Sequence, residues 1–105
     1  MKSERGTDWF TDMTCPTEEH HIMNGAERSK AEKYGLKVYL SHENHHWLHN
    51  TRTGRRYSML LKAYAQLVFM AEYHDKELWM KEFHKDYSEY WTDETIDDVY
   101  GIRTR

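Results

Sequence analysis

The sequence predicts an α+β fold, a two-strand hairpin and a histidine-bearing helix followed by two or three further helices. Three observations predict it. Leu36-Lys37-Val38-Tyr39-Leu40 alternates apolar and polar, the period of a half-buried strand. Ser41 then opens a stretch in which His45 and His49 lie four apart. From Tyr57, apolar residues recur at helical spacing over several turns.

Taken in order, residues 1–14 form a polar, loosely ordered lead-in whose large apolar pair is Trp9 and Phe10. His20-His21-Ile22-Met23-Asn24-Gly25 reads as a strand end entering a turn, with Asn-Gly as the turn signal. Residues 26–33 are charged and compatible with a short helix inside a long loop. After the strand at 36–40, Ser41 is a good N-cap, and residues 42–50 fit a short helix with Gly54 in the turn after it. Tyr57, Leu60, Leu61, Tyr64, Leu67, Val68 and Ala71 then mark a strongly amphipathic helix. Its other faces carry Met59, Phe69 and Met70, more apolar surface than one buried stripe requires. Asp75 can cap a further helix with Leu78, Trp79, Phe83 and Tyr87 on one face. Ile96, Val99 and Tyr100 allow a last turn or two.

At 105 residues the chain has room for one modest core. It is polar for a globular protein, with 31% charged residues, but its 14% aromatics can still build a core. Eight histidines is a high count for this length, and small polar domains often rely on a metal. The lone Cys15 excludes an internal disulfide framework and a Cys-rich zinc site. No apolar run matches a membrane span and the N-terminus lacks a signal-peptide core, so the expectation is a cytoplasmic protein without a membrane partner. The net charge of -3 resides in the acidic tail, residues 88–105, which leaves residues 1–87 formally neutral and not set against DNA.

The histidines carry the chemistry. Side chains four apart on a helix leave the same face, so His45 and His49 can meet one divalent ion. Adjacent strand residues point to opposite sides, so one of His20 and His21 can ligate while the other reaches elsewhere. Three imidazoles with an open position describe a catalytic rather than a closed structural site. They suit Zn or Ni, and hydrolysis also runs with Mg or Mn. A surface pair is the commoner fate of two histidines at this spacing, and it is the joint occurrence with His20-His21 that argues for a metal. His46 could replace His45 if the helix register shifts by one. His74 and His84 read as ordinary surface residues.

The stretch CPTEEHHIMNGAERSKAEKYGLKVYLSHENHHWLH, with FMAEYHDKELWMKEFHKDY after it, resembles a family of short phage and prophage proteins with an HNH (ββα-metal, treble-clef-like) endonuclease core. The ligand arrangement is also similar to that of colicin-type DNases. The resemblance spans about residues 15–87, which it makes an HNH-like domain with C-terminal helices. It implies a metal-dependent hydrolase of DNA phosphodiester bonds in a bacterial host cell. His20, His45 and His49 become the ligands of one divalent metal, and His21 the general base that deprotonates water. Glu18 or Glu19 would orient an imidazole.

Two departures stand out. The helper Asn of HNH sites is missing, because Tyr34-Gly35-Leu36 occupies its place; Asn24 and Asn44 are the candidates to replace it. The Cys pairs of many relatives are absent as well.

Arg28, Lys30 and Lys33 lie between the strands, and Arg52, Arg55 and Arg56 follow the ligand helix, two basic clusters suited to a phosphate backbone. The rival expectation is a catalytically weak HNH scaffold that binds and inhibits or adapts a host protein, such as a defence-system component. The missing Asn, the acidic tail and the surplus apolar surface favour it. A homodimer through Met59, Phe69 and Met70 is compatible with either.

Overall fold

In the computed structural model, residues 1–100 are described; residues 101–105, the end of the acidic tail, lie outside them. The chain divides into two compact units, Met1–Met59 and the segment from Leu60 onward. The architecture is α+β, with one two-stranded antiparallel sheet and several helices, an arrangement compatible with a ββα core.

In the first unit, β1 (Thr17–His21) pairs with β2 (Lys37–Ser41) from Thr17↔Ser41 to His21↔Lys37. The alternation of β2 becomes two environments: Val38 and Leu40 are fully buried, while Lys37 and Tyr39 are half-exposed. The connection holds a 3-10 turn (Gly25–Glu27) and the short helix α1 (Arg28–Lys33). It is closed by hydrogen bonds that the Ile22 amide donates to the Leu36 carbonyl (3.0 Å) and the Leu36 amide to the Ala31 carbonyl (2.8 Å). Helix α2 (His42–Asn50) starts where expected, because the Ser41 hydroxyl accepts the Asn44 amide at 3.1 Å.

Two expectations are corrected here. The lead-in is not loose. An edge strand presents backbone groups that need partners, and residues 1–14 supply them to β2. The Trp9 amide donates to the Tyr39 carbonyl (3.0 Å), and the Tyr39 amide donates to the Ser3 hydroxyl (2.8 Å). Asp8 is buried and accepts from the Ser41 amide (2.8 Å) and the Asn44 side chain (3.0 Å). Gly54, expected in a turn, lies inside the long helix α3 (Arg52–Tyr73) and is buried against the end of α2.

The second unit holds the rest of α3, then α4 (Lys76–Phe83), a 3-10 turn (Ser88–Tyr90) and α5 (Asp93–Tyr100). Asp75 caps α4 through the Leu78 amide (2.9 Å), as the sequence suggests. Phe69, Trp79 and Phe83 form an aromatic core with ring centroids 4.4 to 6.2 Å apart. Phe69 is therefore interior rather than on an outer face, which removes it from any dimer surface. The buried face of α3 includes Leu61, Ala65 and Phe69, together with Gln66. That glutamine has a partner at each end of its amide, accepting from the Tyr87 amide (2.6 Å) and donating to Asp86 (2.9 Å). Tyr57 and Leu60, placed on the stripe by periodicity, are 44% and 38% exposed. Among the described residues, no helix is long and apolar enough to cross a membrane.

Candidate metal centre

The pleat of β1 sorts four consecutive polar residues onto two faces: Glu18 and His20 on one, Glu19 and His21 on the other. His20 meets the helix pair on the first face. Its ring centroid lies 5.3 Å from that of His45 and 5.1 Å from that of His49, and the latter two are 4.9 Å apart. One ring nitrogen from each of His20, His45 and His49 lies within 4.8 Å of the others, so the three could hold a metal ion. Imidazoles at metal-bonding distance on a tetrahedral ion have nitrogens about 3.3 Å apart, which small side-chain rotations here would reach. His20 is buried, His45 half-buried and His49 exposed, so the group opens to solvent on its helix side.

Glu18 fixes the orientation of this group. Nδ1 of His45 donates to one carboxylate oxygen (2.7 Å) and Nδ1 of His42 to the other (2.9 Å). With the proton on Nδ1, the in-plane lone pair of His45 resides on Nε2, the nitrogen left for coordination. Hydrogen bonds from His42 first, then His45, hold the Glu18 carboxyl below its ordinary range, and the same contact pushes His42 up. Partial burial of its ring, then the neighbouring His45, holds His49 below the usual imidazole value. It is thus more readily the neutral ligand form. His46 turns away, stacks on His42 and contacts Asn50, so His45 is the helix residue in register.

On the opposite face, His21 is buried and its Nε2 meets Glu32 of α1 at 2.9 Å. Lys37, directly across the ladder from His21, donates to both Glu32 oxygens (3.2 and 3.0 Å) and lies 3.6 Å from Glu19. Glu19 also pairs with Arg5 (3.5 Å). Glu32 is held below the ordinary carboxylate range by His21 first and Lys37 second, and Lys37 is raised by Glu32. Glu19, His21 and Glu32 form a second group with metal-ligand spacing, but the Lys37 ammonium already supplies the positive charge there. A cleft of about 460 Å³ lies over this face, lined by Glu19, His21, Gly25, Arg28, Ser29 and Glu32.

Of the two acids expected near the imidazoles, Glu18 contacts the three-histidine group through His45 and Glu19 belongs to the salt-bridged face. Arg28 lines the His21 cleft and Lys30 is half-buried on α1, while Arg52, Arg55 and Arg56 are exposed at the start of α3. Asn44 is held by Asp8, and Asn24 is exposed beside the 3-10 turn, so neither asparagine contacts His21. Glu32 and Lys37 were not singled out by the sequence. Their partnership with His21 joins three elements, and nothing in local spacing signals it. His74 and His84 are exposed, both with positive φ after α3 and α4.

Comparison with protein-family models, curated proteins and solved structures finds no match to this chain.

Proposed function

We propose that the first unit is a metal-dependent endonuclease of the HNH type that hydrolyses DNA phosphodiester bonds. One observation carries this reading: a three-histidine group adjoins a fourth histidine that is outside the group and held by a carboxylate. A divalent ion bound by His20, His45 and His49 would polarise a phosphoryl oxygen and stabilise charge on the leaving oxygen. The chain's own residues supply the rest. His21 donates its Nε2 proton to Glu32, which leaves Nδ1 to take a proton from the attacking water. Glu32 then stabilises the imidazolium, as the acid does in a catalytic triad. Lys37 keeps Glu32 ionised throughout. Glu32 thus takes over the holding role of the missing Asn. Since His20 and His21 face opposite sides of a strand end, the substrate would cross the edge of the hairpin between them.

A second reading has its own observation. Arg5, Glu19, Lys37, Glu32 and His21 form a continuous salt-bridged network, and the His21 side chain is only 7% exposed. Such a network also suits a structural clamp in a scaffold that docks onto a host protein.

Plasmid cleavage by metal-stripped protein reloaded with Mg, Mn, Ni or Zn separates the two. The nuclease reading expects metal-dependent nicking that falls at least 100-fold in His21→Ala, in keeping with the loss of a general base. Wild type that binds metal, folds and leaves DNA intact gives the scaffold reading instead.

A further inference from the structure

On the far side of α2 from the histidine group, Phe10 of the N-terminal segment, Trp47 of α2 and Tyr57 of α3 meet as three mutually tilted rings. Their centroids lie 6.2 Å (Phe10 to Trp47), 6.3 Å (Phe10 to Tyr57) and 5.5 Å (Trp47 to Tyr57) apart. Together with Thr11, Glu43 and Asn44 they line an open, mainly apolar cleft of about 430 Å³. Trp47 and Phe10 are only half-buried and Tyr57 is exposed, so ring faces reach solvent. Of the polar residues lining the cleft, Thr11 and Asn44 both donate to Asp8, which leaves the exposed Glu43 as its one acid. The exposed surface is therefore one of ring faces and edges set at 51° to 88° to one another, with few polar groups to read a base edge.

What such a surface takes is decided by the charges beside it. Arg52, Arg55 and Arg56 stand within the five residues before Tyr57, all exposed, and the first turn of α3 has no acid. Among the described residues, none of these three guanidinium groups makes an ion pair. At 3.6 residues per turn, Arg56 and Arg52 project about 100° and 140° around the helix from Tyr57 on the same flank, and Arg55 about 160° on the far side, so Arg52 and Arg56 are the ones whose phosphate contact adjoins the ring. A sugar-phosphate strand has this pattern, charge along one edge and π-faces beside it, provided its bases are unpaired. A duplex buries the faces that the cleft offers to stack.

We propose that the Phe10–Trp47–Tyr57 cleft is a stacking site for an unpaired base of a single-stranded nucleic acid segment, whose phosphates lie along Arg52 and Arg56. It deepens the nuclease reading by naming the strandedness of the substrate, and rests on that reading only for the claim that the bound strand is then cut.

The test is metal-free binding of the full chain to a fluorescent oligo-dT and to a duplex of equal length, by anisotropy and by quenching of tryptophan emission. The single strand binds more tightly than the duplex and quenches emission. Tyr57→Leu weakens single-strand binding on the order of tenfold, the usual effect of losing one stacked base, while Tyr57→Phe restores it. Arg56→Gln lowers the slope of log affinity against log salt by about one contact. Circular dichroism shows each variant folded. Equal affinity in wild type and Tyr57→Leu overturns the proposal, as does preference for the duplex, or quenching by tetramethylammonium but not by the oligonucleotide, which would make the cleft a cation cage. Binding without cleavage leaves this inference standing and removes the nuclease reading. Cleavage of duplex that is indifferent to Tyr57→Leu does the reverse.

Discussion

Asp8 shows how one side chain in a segment without regular structure secures the site. Its carboxylate gathers the Thr11 amide and hydroxyl, the Ser41 amide and the Asn44 side chain. It thereby ties residues 1–14 to the end of β2 and the first turn of α2, from which His45 and His49 project. Burial pushes its pKa up, but the hydrogen bonds from Ser41, Thr11 and Asn44 outweigh that and leave it below the ordinary carboxylate range. A depressed carboxyl stabilises the fold above the unfolded pKa and loses that contribution as pH falls through the folded one. Asp8→Asn should therefore unfold at lower urea than wild type at pH 6, by roughly 3 kcal/mol, the scale of hydrogen bonds to a charged group. It should also show a smaller further loss between pH 4 and pH 2; parallel pH curves for the two proteins would reject the assignment. Composition marks residues 1–14 as polar, and no rule of spacing reveals that Asp8 will be buried across 33 residues from Ser41. Long-range partnerships of this kind are what a single sequence conceals.

At the scale of elements, the strand at 36–40, the Ser41 cap and the helix at 42–50 were legible because each is written locally, by alternation of period two or by a hydroxyl three residues before an amide. The inward face of α3 was legible only in part: Leu61 and Leu67 of the predicted stripe are buried, but so is Gln66, whose amide finds partners in Asp86 and Tyr87 of a later segment. The start of α3 escaped for another reason: a glycine is ordinarily a turn signal, whereas Gly54 is there for its size. A Cβ at this position would fall on the Trp47 carbonyl oxygen and lie 2.8 Å from Cα of Leu48. Helix propensity alone favours Gly54→Ala by about 1 kcal/mol. Contact with backbone cannot be relieved by a rotamer change, so the substitution should instead destabilise by about 2 kcal/mol net. It should also disturb α2, and hence the spacing of His45 and His49. Denaturant titration gives the first quantity and metal titration the second; a stabilised variant would show that α2 and α3 are farther apart than described.

For the molecule as a whole, the first unit is small and polar, with two short strands and a buried imidazole at their end. An ion that binds only the folded state adds RT ln(1 + [L]/Kd), about 2.7 kcal/mol at a hundredfold excess over Kd. In a domain of this size that corresponds to an upward shift of the melting midpoint on the order of 10 °C. Zinc or nickel should produce this shift in wild type and fail to produce it in His49→Ala, whose exposed side chain can be removed with little loss of packing. An equal shift in both would place the ion elsewhere. Spacing made legible a group of one strand-end histidine with two histidines a helical turn apart, while the choice of His20 over His21 and of His45 over His46 needed the fold. Its electrostatic surroundings, with Glu18 on one face and Glu32 and Lys37 on the other, depend on how the hairpin and α1 close. Only the three-dimensional arrangement supplies that.

The doubled letters of β1 bear on how that arrangement tolerates error. Facing α2, the strand presents Glu18-x-His20; after a slip of one residue it would present Glu19-x-His21, the same pair in the same order. The side facing α2 is thus a degenerate word, unchanged by a frame shift of the ladder. The opposite side is not, for Glu19 and His21 would give way to His20 and Ile22, breaking the contacts with Lys37 and Glu32 and exposing a residue that is now 1% accessible. Proofreading of the frame therefore falls to the face of Lys37 and Glu32, and a chain misaligned by one residue would still offer α2 a glutamate and a histidine while lacking everything the second face provides.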